Sequence, residues 1–218
     1  MTKIAVLGTG VVGDTIGSKL IELGHQVMMG SRTTENEKAQ AFLAKHNGNA
    51  KTGTFADAAA FGEIIFNCTS GGGSLDALQL AGENNLKDKI LVDLANPLDF
   101  SQGMPPSLSF VNTNSLGEEI QRAFPQVKVV KTLNTLWCGL MVNPGMIHGG
   151  DHNIFVCGND AAAKETVKDI LLSFGWIDKN ILDLGDITKA RGTEMYLPLW
   201  LSIYGSTNNG AFNIKIVS

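Results

Sequence analysis

The pattern Gly8-Thr9-Gly10-Val11-Val12-Gly13 follows a short apolar run, Lys3 to Leu7, and opens into a helical repeat, Val11 to Leu23. A G-x-G-x-x-G turn between a buried strand and an amphipathic helix is the first turn of a dinucleotide-binding sheet. Gly8 allows the tight turn, Gly10 lets the backbone approach a pyrophosphate, and Gly13 lets the helix lie close to the strand. The free N–H groups at the helix start face the phosphates, and the helix dipole favours negative charge there. Thr9, Val11 and Val12 share the turn and count as cofactor-binding positions with the glycines.

The rest of the chain is consistent with that opening. Val12, Ile16, Leu20 and Leu23 form one helical stripe, and Gly24 ends it. Gln26 to Met29 reads as a second strand. Thr34 then starts a helix, with Glu37 completing a capping box. Further strands are expected at Glu63 to Thr69, Lys89 to Leu94 and Val127 to Thr132, with helices at Ser74 to Ala81 and Ser115 to Ala123. This alternation predicts an α/β, Rossmann-type, doubly wound and mostly parallel sheet, with an NADP-binding Rossmann domain over residues 1–140.

Residues 141–218 read as a small C-terminal α/β extension carrying the acceptor site, a dimer interface or both. Val142 to Gly145 and His148 to Asp151 are loop-like. His152 to Cys157 is a strand, Asp160 caps a helix running to about Phe174, and an apolar helix from Ile187 to Tyr204 precedes a tail at Phe212 to Val217. Met195, Leu197, Leu199, Trp200, Leu201, Ile203 and Tyr204 make that last helix apolar on more than one face. Such a helix is either buried or paired with a second copy, and a homodimer is expected.

Composition excludes several classes. A net charge of -4 argues against a nucleic-acid partner. Cys68, Cys138 and Cys157 are odd in number and form no CxxC pair, which suits a reducing compartment. The run Ile4 to Leu7 enters glycines at once, unlike a signal peptide. No stretch nears the roughly 18–20 apolar residues of a spanning helix, and Met195 to Tyr204 contains Pro198. A cytoplasmic protein without a membrane partner is expected. His148 and His152 are four apart, but Gly149-Gly150 between them breaks any helix, so no metal site is expected.

The segment after the second strand separates NADP from NAD. An NAD enzyme usually places Asp or Glu there, on the ribose 2′-hydroxyl. This chain has Gly30-Ser31-Arg32-Thr33. Ser31 and Thr33 offer hydroxyls, and Arg32 offers a planar fork of donors for a 2′-phosphate; Lys38 adds charge nearby. A solvated Arg32 and a capping role for Thr33 or Thr34 are the plain alternatives. Three more loops follow strand ends: Thr69-Ser70-Gly71-Gly72-Gly73, Ala95-Asn96-Pro97 and Leu133-Asn134-Thr135. They suit ribose or phosphate, the nicotinamide ribose and the carboxamide respectively, although these residues are also common in ordinary turns. No catalytic residue stands out. Glu194 and Tyr196 are proton-donor candidates, with a salt bridge or a core contact as the alternative.

With these residues in hand, the chain resembles the family called NADP oxidoreductase, coenzyme F-420-dependent, and is similar to the cytosolic reductase domain of membrane ferric reductases. Gly8 to Gly13, Gly30-Ser31-Arg32 and Asn96-Pro97 carry the resemblance, helped by Val129 to Asn134 and Ala190-Arg191 to Glu194. It covers nearly the whole length. It implies a Rossmann domain for NADP(H), a small C-terminal part and hydride transfer between the nicotinamide and a small-molecule acceptor, the deazaflavin coenzyme F-420; a flavin is the other acceptor considered. The turn from Ser70 to Ser74 departs from the family's apolar, proline-containing version. Reduction of a small carbonyl or imine, and a non-catalytic NADP(H) sensor, are the alternative functions.

Overall fold

The computed structural model describes residues 1–46 and 48–217. Its strands are β1 (Lys3–Leu7), β2 (Gln26–Ser31), β3 (Ala50–Thr54), β4 (Ile64–Asn67), β5 (Ile90–Asp93), β6 (Leu98–Asp99), β7 (Ser107–Leu108), β8 (Lys128–Thr132), β9 (Ile154–Gly158) and β10 (Ile181–Asp183). The helices between them are α1 (Val11–Glu22), α2 (Glu37–Lys45), α3 (Phe55–Phe61), α4 (Ser74–Ala81), α5 (Glu83–Leu86) and α6 (Leu116–Ala123). Then come α7 (Cys138–Val142), α8 (Ala161–Ser173), α9 (Ala190–Met195) and α10 (Leu197–Thr207).

Eight strands form one sheet in the order β10-β9-β8-β5-β4-β1-β2-β3, and β6 and β7 make a separate small hairpin. All neighbours in the large sheet are parallel except β8 and β9, where Val130 faces Gly158 across an antiparallel pair. This is the expected doubly wound, mostly parallel sheet. The strand order reverses direction beside β1, which lies between β2 and β4. Ligands of such sheets sit outside the carboxyl ends of the strands at that point.

Successive side chains of a strand point to opposite faces, and this divides the core in two. Ile4, Val6, Phe66, Val92 and Val130 pack with Ile16, Leu20 and Phe42 on one face. Ala5, Leu7, Ile65, Leu91 and Val129 pack with Ala58, Leu78 and Ile120 on the other. Burial on both faces is why these strands read as continuous apolar runs.

Two element boundaries differ from expectation. The Asn36 side chain, not Thr34, caps α2 by accepting the Ala39 N–H at 3.0 Å. The expected helix from Ile187 to Tyr204 is three pieces: a short 3-10 turn at Ile187–Lys189, then α9, then α10. Pro198 stands in the first turn of α10, where its missing N–H costs nothing, but it cannot continue a helix from behind. Among the described residues, no helix is long and apolar enough to cross a membrane.

Candidate functional site

The turn between β1 and α1 is built as its glycines require. Gly8 has φ 114°, and a Cβ there would meet the Cys68 carbonyl oxygen at 2.6 Å. A Cβ on Gly13 would lie 2.1 Å from the Gly8 carbonyl oxygen, so the helix seats directly on the turn. Around Gly10 nothing stands within 4 Å of a Cβ position. Helix α1 begins at Gly10 with no side-chain cap, as α4, α5, α7, α9 and α10 also do without one, so its first amides have no side-chain acceptor. Open space beside uncapped helix amides fits a phosphate group.

A cleft of two adjoining chambers runs over the strand ends. The first, about 300 Å³, is lined by Gly8, Thr9 and Gly10, by Ser31 and Arg32, and by Thr69 and Ser70. Asn36, Phe55, Cys68, Gly73 and Ala77 complete it. The second, about 200 Å³, shares Cys68, Thr69 and Ser70 and adds Val12, Gly71, Asn96, Leu94, Ala95, Leu98 and Phe100. Arg32 is exposed and makes no ion pair among the described residues. The Ser31 hydroxyl donates to the Thr33 carbonyl, and Thr33 itself is exposed outside both chambers. Gly30 is buried against Ala58. Val11 is exposed and shares a neighbouring groove, which meets the first chamber at Thr9 and Gly10, with Lys38, Asp14 and Lys45; Lys38 does not line the first chamber itself.

The three loops at the far strand ends hold one another. The Thr69 hydroxyl donates to Asn67 Oδ1 at 2.6 Å and lies 2.8 Å from the Ser74 hydroxyl, which anchors the glycine turn. Asn96 Nδ2 donates to the Asn134 carbonyl at 2.8 Å, and Asn134 Nδ2 returns a bond to Asn96 Oδ1 at 2.9 Å. A Cβ on Gly71 would lie 1.9 Å from the Asn96 carbonyl oxygen and 2.9 Å from Pro97, so glycine is needed where these loops touch. Both asparagine side chains are therefore engaged with protein. Leu133, before Asn134, is buried with a left-handed backbone at φ 63°.

Beneath the second chamber lies a polar network that sequence reasoning did not find. Asp93, Lys131 and Glu194 are all buried. The Lys131 ammonium is 2.8 Å from carboxylate oxygens of both Asp93 and Glu194. Burial opposes its charge, but the two carboxylates outweigh that and hold its pKa above the usual lysine value. Glu194 also accepts the Leu116 and Gly117 amides at 2.8 and 3.0 Å. It is thus the salt bridge weighed against a proton-donor role. Tyr196 lines a different cavity, about 230 Å³, with Thr135 and Ile214. Burial pushes the Cys68 thiol well above its ordinary value, so it is not a nucleophile at neutral pH. Among the described residues, no cluster of His, Cys, Asp or Glu is arranged for a metal ion.

A reversed parallel sheet, an uncapped glycine turn at its switch point and a two-chambered cleft along the strand ends define a Rossmann-type dinucleotide-binding protein. Known proteins narrow the class. The family described as NADP oxidoreductase, coenzyme F420-dependent, matches residues 3–97. A solved structure from Arthrobacter sp. FB24, assigned as an F420-dependent NADP-reductase, is 52% identical with a TM-score of 0.94, covering 100% of both chains. The F420-dependent NADP reductase of Methanocaldococcus jannaschii is 28% identical over 99% of this chain and 98% of its own. Metalloreductase STEAP3 of Rattus norvegicus is 28% identical over 91% of this chain, which spans only 38% of that protein. The chain belongs to the coenzyme F420-dependent NADP oxidoreductase family and is an NADP-dependent oxidoreductase.

Proposed function

We propose that NADP(H) lies along the two chambers and that its hydride is exchanged with the deazaflavin ring of coenzyme F-420, or with a related flavin. In this reading Gly8, Thr9, Gly10, Val11, Val12 and Gly13 hold the pyrophosphate, with Gly30 letting the second strand pack closely. Ser31 and Arg32 hold the 2′-phosphate, while Thr33, outside both chambers, takes part only through its carbonyl, which accepts the Ser31 hydroxyl. Thr69, Ser70, Gly71 and Asn96 wall the nicotinamide half, with Pro97 packed against Gly71 outside the lining and Asn134 locking Asn96 in place. The bound nicotinamide supplies the hydride chemistry. The protein's part is to hold the ring, orient it and keep water from it.

The observation that carries this reading is the chemistry of the second chamber. Among the described residues, its lining contains no Asp, Glu, His, Lys or Tyr. Reduction of a carbonyl or imine asks for a proton donor near the reacting atoms. Exchange between two stacked rings asks mainly for position. The similarity to proteins named F420-dependent NADP reductases supports the same acceptor. Residues 141–218 extend the sheet by β9 and β10, and we assign the acceptor side and a homodimer contact to that part. Three buried free cysteines suit the reducing conditions of a cytoplasm.

Mixing the protein with NADPH and oxidised coenzyme F-420 tests the acceptor. Protein-dependent bleaching of the deazaflavin band is expected. Confirmed NADPH binding without bleaching would remove the deazaflavin and point to flavins, ferric complexes or small carbonyls.

A further inference from the structure

Lys131 has three donors, and the structure accounts for all of them. Two meet the carboxylates of Asp93 and Glu194; the third meets the Ala95 carbonyl oxygen at 2.5 Å. The other Asp93 oxygen accepts the Ala95 N–H at 3.2 Å. Both backbone polar groups of one residue are thus held by a single buried ion pair. Ala95 is no ordinary core residue, because it walls the second chamber and precedes Asn96, which interlocks with Asn134. Glu194, anchored by the Leu116 and Gly117 amides, delivers the second carboxylate from α9. A buried ion triad is a weak source of stability, since apolar residues of similar volume often serve as well. What it adds here is a fixed backbone at the wall of a ligand site.

We propose that Lys131, held between Asp93 and Glu194, is a positioning residue that fixes the Ala95 backbone and thereby orients the nicotinamide ring. This rests on the placement of the nicotinamide in the second chamber. It makes α9, outside the cleft, part of the machinery that sets the ring's orientation. The adenosine half, in the first chamber, does not depend on it.

Two ligands separate the halves: adenosine 2′,5′-bisphosphate, which lacks the nicotinamide, and NADPH, whose fluorescence reports the ring's surroundings. The variant K131M/D93N/E194Q leaves no unpaired buried charge. It should bind the bisphosphate as the parent does, bind NADPH roughly tenfold or more weakly, and lose the fluorescence change. E194Q alone keeps side-chain volume and should show the same split in weaker form, about threefold. If the triple variant does not fold, the single one decides. Equal losses for both ligands, or no loss for either, would overturn the proposal. Failure of the parent itself to bind the bisphosphate would overturn the cofactor placement, and this proposal with it.

Discussion

At the scale of single residues, the proposed 2′-phosphate contact centres on Arg32. It lies just past the carboxyl end of β2, lines the first chamber and has no ion-pair partner among the described residues. A charged hydrogen bond to the 2′-phosphate contributes roughly 1.5–3 kcal/mol, or about tenfold or more in affinity. Arg32→Glu should therefore weaken NADPH binding by at least that factor while changing NADH binding far less; titration of both nucleotides measures the difference. Equal effects would mean that Arg32 does not read the phosphate. Glycines and the Ser-Arg pair were legible in sequence because their chemistry is local. Phe55, Cys68 and Phe100 were not, since an apolar residue lining a cleft looks like any core residue. The Asp93–Lys131–Glu194 network was invisible for a second reason: its members are 38 and 63 positions apart and meet only because β5 and β8 pair and α9 sets Glu194 against Lys131.

At the scale of elements, the central strands were legible and the edges were not. Ala50–Thr54 and Ile181–Asp183, the two unforeseen strands of the large sheet, are its two outermost members. An edge strand has one neighbour and needs no long apolar run, so periodicity is silent there. The packing of α9 on α6 has its own signature. Arg191 forks onto both oxygens of Glu118, which also accepts the Ser115 hydroxyl at 2.7 Å. The Arg191 hydrogen bond, assisted by Ser115 and opposed by burial, holds the Glu118 carboxyl below the usual glutamate value of 4.5. A depressed carboxylate contributes stability above its unfolded pKa, and that contribution is lost as pH falls through the folded value. Glu118→Gln should lower the melting temperature at neutral pH and lose less than the parent on going from about pH 6 to about pH 3. Parallel melting curves for the two proteins across that range would remove the pair from the acid limb.

At the scale of the whole molecule, α10 is an apolar helix that the fold leaves largely uncovered. Only Leu197 of its residues is buried, while Leu199 is 57% and Tyr204 42% exposed. Trp200 stacks on Tyr204 and Phe212 at 5.4 and 5.3 Å, which stiffens the helix against the C-terminal tail. Apolar side chains clustered on an ordered exposed helix mark an interaction surface more often than a solvent face. A second copy of the chain supplies an apolar surface of the same kind, and two-fold self-association is the commonest way such a face is closed. Light scattering after size exclusion should return twice the mass of one chain. Leu199→Glu would place a charge in the contact and shift the population toward single chains, with NADPH still bound in the cleft, whose lining contains no residue of α10. A parent protein that runs only as one chain would end the dimer reading. Its apolar helix would then need another partner, whereas the cofactor cleft, built from β1, β2, β4 and β5 and their loops, would stand as described.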